Sequence, residues 1–450
     1  MKIKFLGGAG EVTGSNYLIT SGDNQVLVDC GLVQGGHYSE KHNFEKFDFD
    51  VNAIKAVFVT HAHIDHTGRL PKLYKEGYRG PVYSTAPTRD FAKELLLDSE
   101  DILFREAKRE DQPPLYSKND VDGVISIWKT INYGDEISIG NIKIKAHDAG
   151  HILGSCSYEV AADGRKTVFS GDLGNVNPPL IKEGELIVPD ADYALIESAY
   201  GDRLHEHAEE SRSILEDAIE ETVRDGGVLM IPAFAMERAQ EILFTIDELT
   251  RNKRIPPVPV FMDSPLAIKL TAVYKWYEDW FNPSVETLVK KGDSLFNFPG
   301  LKVTLTSEES KKIADVPAPK IIIAGSGMSH GGRIVRHEQL YLSDPKNAIL
   351  FVGYQAKGSL GRRILDGAES VRVYDQEIPV RCKKVEIGGY SAHADQARLL
   401  RWLSPAAGSL KRVFVVQGDE DASRILAGKI RDEMAIDACV PAPGYEVELA

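Results

Sequence analysis

Residues 59 to 68 read VTHAHIDHTG, which places three histidines and one aspartate within six consecutive positions. Imidazole nitrogens together with carboxylate oxygens form the donor set of zinc or a similar first-row divalent ion. His61 and His63, two apart behind an apolar run, can converge on one ion from a loop, while Asp65 and His66 can face a second. A solvated, metal-free loop has no use for ligand-type side chains at this density. Two more candidates stand in similar settings, His151 in DAGHILGS and Asp172 in FSGDLG, each at or just beyond the end of a strand-like run. Taken alone, either would be an ordinary core histidine or turn aspartate. In company with HAHIDH they become ligand candidates, because loops at strand ends can aim side chains at a common point.

The elements that must position these residues are legible in the pattern around them. KIKFL, NYLIT and QVLVDCG are β-type runs separated by Gly, Ser, Asp and Asn, a meander with tight turns. AIKAVFVT reads as a buried strand leading into the histidines, with a short helix at GRLPKLYKEGY and a longer one at TRDFAKELLLDSEDILFREAKRE. Strands return in EISIGNIKIKAHDAG, SCSYEVAA and KTVFSGDLG. From about 205 the texture changes, and strands such as GGVLMIPAF, PVPVFMDSP and APKIIIAGSGM alternate with long amphipathic helices. That alternation predicts βαβ units and a parallel sheet. Beyond about 385 the pattern closes with a helix (DQARLLRWLS), a strand (RVFVVQGDE) and another helix.

A chain of 450 residues is too long for one ordinary core, so two or three domains are expected. Its composition, 43% hydrophobic and 27% charged, is that of a globular enzyme. No apolar stretch approaches the roughly 20 residues that span a bilayer, and no membrane partner is expected. The cysteines Cys30, Cys156, Cys382 and Cys439 are scattered and form no CxxC pair, which suggests neither a disulfide framework nor a zinc ribbon and fits a reducing, cytoplasmic setting. The net charge of −14 works against a nucleic-acid partner overall, although only the field at the site decides binding.

HAHIDHTG, DAGHILGS and SGDLG resemble the metal-binding motifs of the metallo-β-lactamase fold, an αββα sandwich. IESAYGDR, IPAFAMERAQEIL, DSPLA, GSGMSHGGR and GYSAHADQ resemble the β-CASP branch of nucleic-acid-processing nucleases, and most closely its RNA-processing members, such as the cleavage-and-polyadenylation endonuclease and ribonuclease J. The likeness covers essentially the whole chain, in the family's order. It implies an α/β protein in which residues 1–200 form the first part of a metallo-β-lactamase domain, 201–385 an inserted parallel-sheet β-CASP domain, and 386–450 the remainder of the first domain. It further implies that His61, His63 and His151 bind a first zinc, that Asp65 and His66 bind a second, and that Asp172 bridges them. Asp29 in LVDCG matches a motif that supports the metal loop through hydrogen bonds. Glu197 matches the β-CASP acidic motif and His393 the histidine that follows it. Gln417 in VVQGDE departs from the pattern, since RNA-processing members carry a histidine there.

Phosphodiester hydrolysis needs hydroxide near neutral pH and a clamp on the phosphoryl oxygens, and two metals about 3.5–4 Å apart supply both. The catalytic assignments are therefore Asp65, His393 as general acid, and Glu197 to orient it. The bland alternative for His393 is a turn residue ahead of the DQARLL helix. A carboxamide at 417 is a weaker zinc ligand than imidazole, so the second metal should bind loosely, with manganese competing. Ser326, Gly327, Met328, Ser329 and Arg333, in the glycine-rich turn before a helix, are candidates for phosphate or substrate binding. Arg333, Arg336, Lys357, Arg362, Arg363, Arg381, Lys383 and Lys384 either line a basic cleft or form a solvated face. His337 is a weaker candidate, His330 is open, and His147, His205 and His207 read as structural or surface residues.

The favoured reading is a two-zinc ribonuclease that cleaves single-stranded RNA between its two domains. The alternatives are a DNA nuclease of the same family, which the residue at 417 keeps in play, and a catalytically weakened RNA-binding subunit, which six intact ligands disfavour. A small-molecule hydrolase would leave the insertion without a role. A homodimer is left open.

Overall fold

In a computed structural model of the chain, the described residues are 1–34, 40–205, 208–353, 355–356, 358–389 and 391–450. His207 and Lys357 lie outside them. The opening meander forms β1 (Lys2–Gly7), β2 (Asn16–Ser21) and β3 (Asn24–Val28), antiparallel neighbours in the register Ile3↔Ile19 and Ile19↔Val26. The chain then adds β4 (Ile54–Phe58), β5 (Val82–Ser84) and β6 (Trp128–Thr130), each parallel to the strand before it. A second sheet starts with the antiparallel run β7 (Glu136–Ile139), β8 (Ile142–Asp148), β9 (Cys156–Ala162) and β10 (Arg165–Phe169), and continues with β11 (Tyr193–Glu197), which lies parallel to β10.

The inserted segment carries β12 (Val228–Pro232), β13 (Val260–Asp263), β14 (Leu301–Val303), β15 (Lys320–Ala324), β16 (Ala348–Val352), a hairpin of β17 (Ser370–Val373) and β18 (Gln376–Pro379), and β19 (Lys383–Ile387). Its six-stranded sheet runs β14-β13-β15-β12-β16-β19 with all neighbours parallel. β12, β13, β15 and β16 are buried at every residue, as strands covered on both faces must be. After it come β20 (Arg412–Val416), β21 (Ala438–Cys439) and β22 (Glu446–Glu448). β20 joins the second sheet beside β11, and β22 joins the first beside β1.

Contacts divide the chain into two compact units, Met1–Leu204 with Ala392–Ala450, and His205–Ser391. In the first unit the two sheets face each other. Ile3, Phe5, Ile19, Val28 and Phe58 of one pack with Ile144, Tyr158, Phe169, Leu195 and Phe414 of the other in a single core. The outer face of the second sheet buries Val168, Ile196 and Val413 against Leu399, Trp402 and Leu426 from the helices Gln396–Leu403 and Glu420–Met434. The first sheet is covered by the helix Ala86–Arg109, which contacts β6 and the helix Lys118–Ser126. Thr85 caps the N-terminus of that long helix, Pro87 sits in its first turn, and Phe91, Ala92, Leu95 and Leu96 form its buried stripe. The layers are thus helix, sheet, sheet, helix, an αββα sandwich interrupted in sequence by a parallel α/β unit.

Candidate metal centre and active site

β4 ends at Phe58, and the chain leaves the sheet into the histidine loop. His63 caps a single helical turn, Ile64–Thr67, which carries Asp65 and His66. That turn is locked from behind, because Leu32 N–H donates to Ile64 O (2.9 Å) and Cys30 N–H to His66 O (2.9 Å). The close approach requires glycine at 31, where a Cβ would stand 1.5 Å from the Asp65 carbonyl oxygen.

Asp29, wholly buried and at φ 60°, organises the loop. Its carboxylate accepts from Thr60 N–H (2.8 Å), Thr60 Oγ1 (2.9 Å) and Ser15 Oγ (3.0 Å), and lies 2.7 Å from His66 Nδ1. This bond occupies Nδ1 and turns Nε2 of His66 toward Asp172, 3.3 Å from its Oδ1. Thr60 Oγ1 also lies 3.1 Å from His61 Nδ1, so that the opposite nitrogen of that ring faces inward. Burial, reinforced by the neighbouring His66, holds His61 well below the usual histidine range, which keeps it in the neutral form a metal requires.

Two other strand ends bring the remaining donors. His151 follows β8, with its backbone N–H bonded to Ser155 Oγ at 3.0 Å, and Asp172 follows β10. His61 Nε2 lies 3.0 Å from His63 Nδ1, His63 Nδ1 3.3 Å from His151 Nε2, and Asp172 Oδ2 3.4 Å from His61 Nε2 and 3.6 Å from His151 Nε2. Donors at zinc–nitrogen bond length in a tetrahedron stand about 3.3 Å apart. These four atoms lie close enough together to hold one divalent ion.

The second set of expected donors fits less well. Asp65 Oδ2 stands 3.8 Å from His66 Nε2. Among the described residues two groups of ligand atoms lie within 4.8 Å of one another, His61–His63–His151–Asp172 and Asp172–Glu197–His393, and Asp65 and His66 belong to neither. Gln417 stands against the second set instead, with Nε2 2.9 Å from both His66 Nε2 and Asp172 Oδ1.

Glu197 ends β11 with no exposed surface, and accepts from Leu173 N–H (2.7 Å) and Ala199 N–H (3.3 Å). Both of its oxygens lie 3.2 Å from His393 Nδ1. Burial opposes a charge on His393, but the Glu197 carboxylate outweighs it and pushes the imidazole up to about 9. A β-bridge to Gly174 and the bond from Ala394 N–H to Leu173 O (2.7 Å) fasten His393 to the segment that carries Asp172. The cap of the following helix is Asp395, not His393.

The glycine-rich loop of the second unit, with Ser326, Gly327, Met328, Ser329 and Arg333, is held by internal hydrogen bonds. Ser326 N–H donates to Gly331 O, Ser329 N–H to Ser326 O and Ile334 N–H to Gly325 O, while Ser326 Oγ accepts from His330 N–H. Gly327 O accepts from Gln355 Nε2, Met328 O from Gly361 N–H, and buried Ser329 bonds Glu338. Arg333 gives Nη1 to Asp263 Oδ1 and Thr304 O, and Nη2 to Leu305 O, each at 2.8 Å. His337 is buried with Nε2 2.7 Å from Asp263 Oδ2. Arg333 and His337 thus hold the unit together. Of the other basic residues, Arg362 pairs with Asp366 and Lys383 with Asp225 and Glu221. His147 lies between Glu159 and Glu185, and His330 is exposed.

Sequence reasoning missed Ser15, Thr60 and Tyr17. Thr60 adjoins His61 and could have been flagged; Ser15 and Tyr17 reach the site only through the fold.

Comparison with known proteins identifies the family. Residues 9–223 match the metallo-beta-lactamase superfamily, 239–364 the Beta-Casp domain, and 377–441 the Zn-dependent metallo-hydrolase RNA specificity domain. Ribonuclease TTHA0252 of Thermus thermophilus is 39% identical over 94% of this chain and 94% of its own length. The chain belongs to the β-CASP family of the metallo-β-lactamase superfamily. Other β-CASP relatives include an RNase J-like protein of Methanocaldococcus jannaschii (32% identical, 98% of each chain) and the transcription termination factor FttA of Methanosarcina mazei (32%, 97% of this chain and 70% of that one). A solved structure of a protein of unknown function from Enterococcus faecalis V583 shares the fold, with a TM-score of 0.56 at 12% identity over 100% of this chain and 99% of that one. As a β-CASP protein the chain is a metal-dependent nuclease. No helix among the described residues is long and apolar enough to cross a membrane.

Proposed function

We propose that this chain is a zinc-dependent ribonuclease that hydrolyses phosphodiester bonds of single-stranded RNA. The observation that carries the reading is the juxtaposition of the convergent His61–His63–His151–Asp172 donor set with the His393–Glu197 pair, whose histidine Nδ1 lies 3.8 Å from Asp172 Oδ2. The ribonuclease names of two relatives and the RNA specificity domain support RNA as the polymer. Three imidazoles and one carboxylate favour zinc over magnesium or calcium, which prefer oxygen.

When bound, the metal supplies Lewis acidity toward a phosphoryl oxygen and makes water acidic enough to attack near neutral pH. The protein supplies the rest. Asp29 and Thr60 hold the imidazoles in their working orientation. Glu197 holds Nδ1 of His393, which leaves Nε2 to deliver a proton to the departing oxygen. With its pKa near 9, His393 carries that proton throughout the neutral range. Asp65 is proposed to orient the attacking water, its carboxylate standing beside His66. RNA turnover by the metal-loaded protein tests the proposal: cleavage of labelled single-stranded RNA, lost in His63→Ala, is expected. Cleavage of DNA alone would overturn it.

A further inference from the structure

Gln417 is buried, 3% exposed, on a backbone at φ 50°, with its own N–H bonded to Gly8 O at 2.7 Å. Its amide is oriented by its neighbours. The amide atom 2.9 Å from Asp172 Oδ1 must be nitrogen, because a carboxylate oxygen only accepts. The same nitrogen stands 2.9 Å from His66 Nε2, while Oε1 faces the Tyr17 hydroxyl at 3.5 Å. The amide nitrogen therefore stands against the two atoms, His66 Nε2 and Asp172 Oδ1, that a second metal would need, and donates to the second of them. Asp65, the third donor, stands 3.8 Å from His66 Nε2.

We infer that this chain is a single-metal enzyme, in which the Gln417 carboxamide occupies the place of the second ion and turns its NH2 toward the atoms that would bind it. The sequence alone suggested a loosened second site, since a carboxamide oxygen is a poor ligand. The structure goes further: the oxygen faces away, and the nitrogen covers the donors. Admitting a metal would require the amide to turn over, placing NH2 toward Tyr17 and losing the bond to Asp172. The inference rests on the proposed metal site, with Asp172 retained by the first ion through Oδ2.

Zinc content after loading and desalting, together with cobalt(II) titration followed by visible absorption, tests the inference without reference to RNA cleavage. One equivalent is expected in the wild type, one in Asp65→Ala and none in His63→Ala. Gln417→His should gain a second equivalent. The isosteric Gln417→Glu should do the same, because it removes the donors, adds a ligand and keeps the shape. Two equivalents in the wild type, or a loss in Asp65→Ala, would overturn the single-metal inference and leave the ribonuclease proposal standing. One equivalent in wild type and in both 417 variants would show that Gln417 does not set the count. No metal in the wild type overturns site and inference together. One equivalent without RNA cleavage overturns the proposed function alone.

Discussion

The proton delivery proposed for His393 would depend on a carboxylate that is itself out of contact with water. Glu197 has no exposed surface, whereas the His393 side chain is 29% exposed, so the pair presents one accessible proton on a buried support. His393→Ala should slow RNA turnover by about 10²–10⁴-fold while zinc content stays unchanged, measured by single-turnover cleavage alongside metal analysis. A parallel loss of zinc would make His393 a ligand instead. The sign of the pH effect follows from the raised pKa. The charged form, favoured in the fold, is complete below about 9 and is lost as pH rises through that value. The alkaline limb of the wild-type rate should therefore lie near pH 9, and Glu197→Gln, which removes the opposite charge, should move that limb to lower pH. An unmoved limb would show that it belongs to another group. Density and spacing made the HAHIDH cluster legible in the sequence, whereas most of the residues that orient it carry no such mark. Asp29 was reached through a family motif, and Ser15, fourteen positions away from it, carries no local mark of its role.

At the scale of elements, one buried carboxylate ties the second unit together. Asp263, the last residue of β13, bonds Thr304 Oγ1 (2.6 Å), Ser310 Oγ (2.6 Å), Arg333 and His337, and so joins a strand end to two loops and to the helix Ile334–Tyr341. Burial opposes its charge, but these donors together hold the carboxyl down to about 2. A depressed carboxylate contributes stability that is present above its unfolded pKa and lost as pH falls through about 2. Asp263→Ala strands Arg333 and His337 and should destabilise the second unit by about 3–5 kcal/mol. Hydrogen exchange over 205–391 measures this, and protection equal to wild type would refute it. Here the sequence leaves two roles open. A glycine-rich turn between strand and helix has the same composition whether its N–H groups receive a phosphate or its own carbonyls. The partner that decides the role of Arg333 is seventy positions away. The strands and helices themselves were legible, since apolar period and turn residues are local properties.

At the scale of the whole molecule, the proposed metal donors come from both sheets of the first unit. His61 and His63 follow β4 in one sheet, while His151 follows β8 and Asp172 follows β10 in the other. Strand order was less legible than strand existence: nothing in GYEVELA names β1 as the partner of β22, because the two lie at opposite ends of the chain. An ion held by these four side chains would be a crosslink as well as a reagent. A ligand that binds only the folded state stabilises it by about 2.7 kcal/mol when present at 100 times its dissociation constant. For a unit of this size that corresponds to roughly 5–10 °C in Tm. Chelation should therefore lower the melting transition of the first unit by that amount and abolish RNA cleavage. The second unit contributes none of the four donors and should melt as before. His63→Ala should melt like the chelated wild type and be indifferent to chelator. Differential scanning calorimetry with and without added zinc reads all of these outcomes. If the wild-type transitions stay in place on chelation, the four converging side chains do not hold an ion across the sandwich.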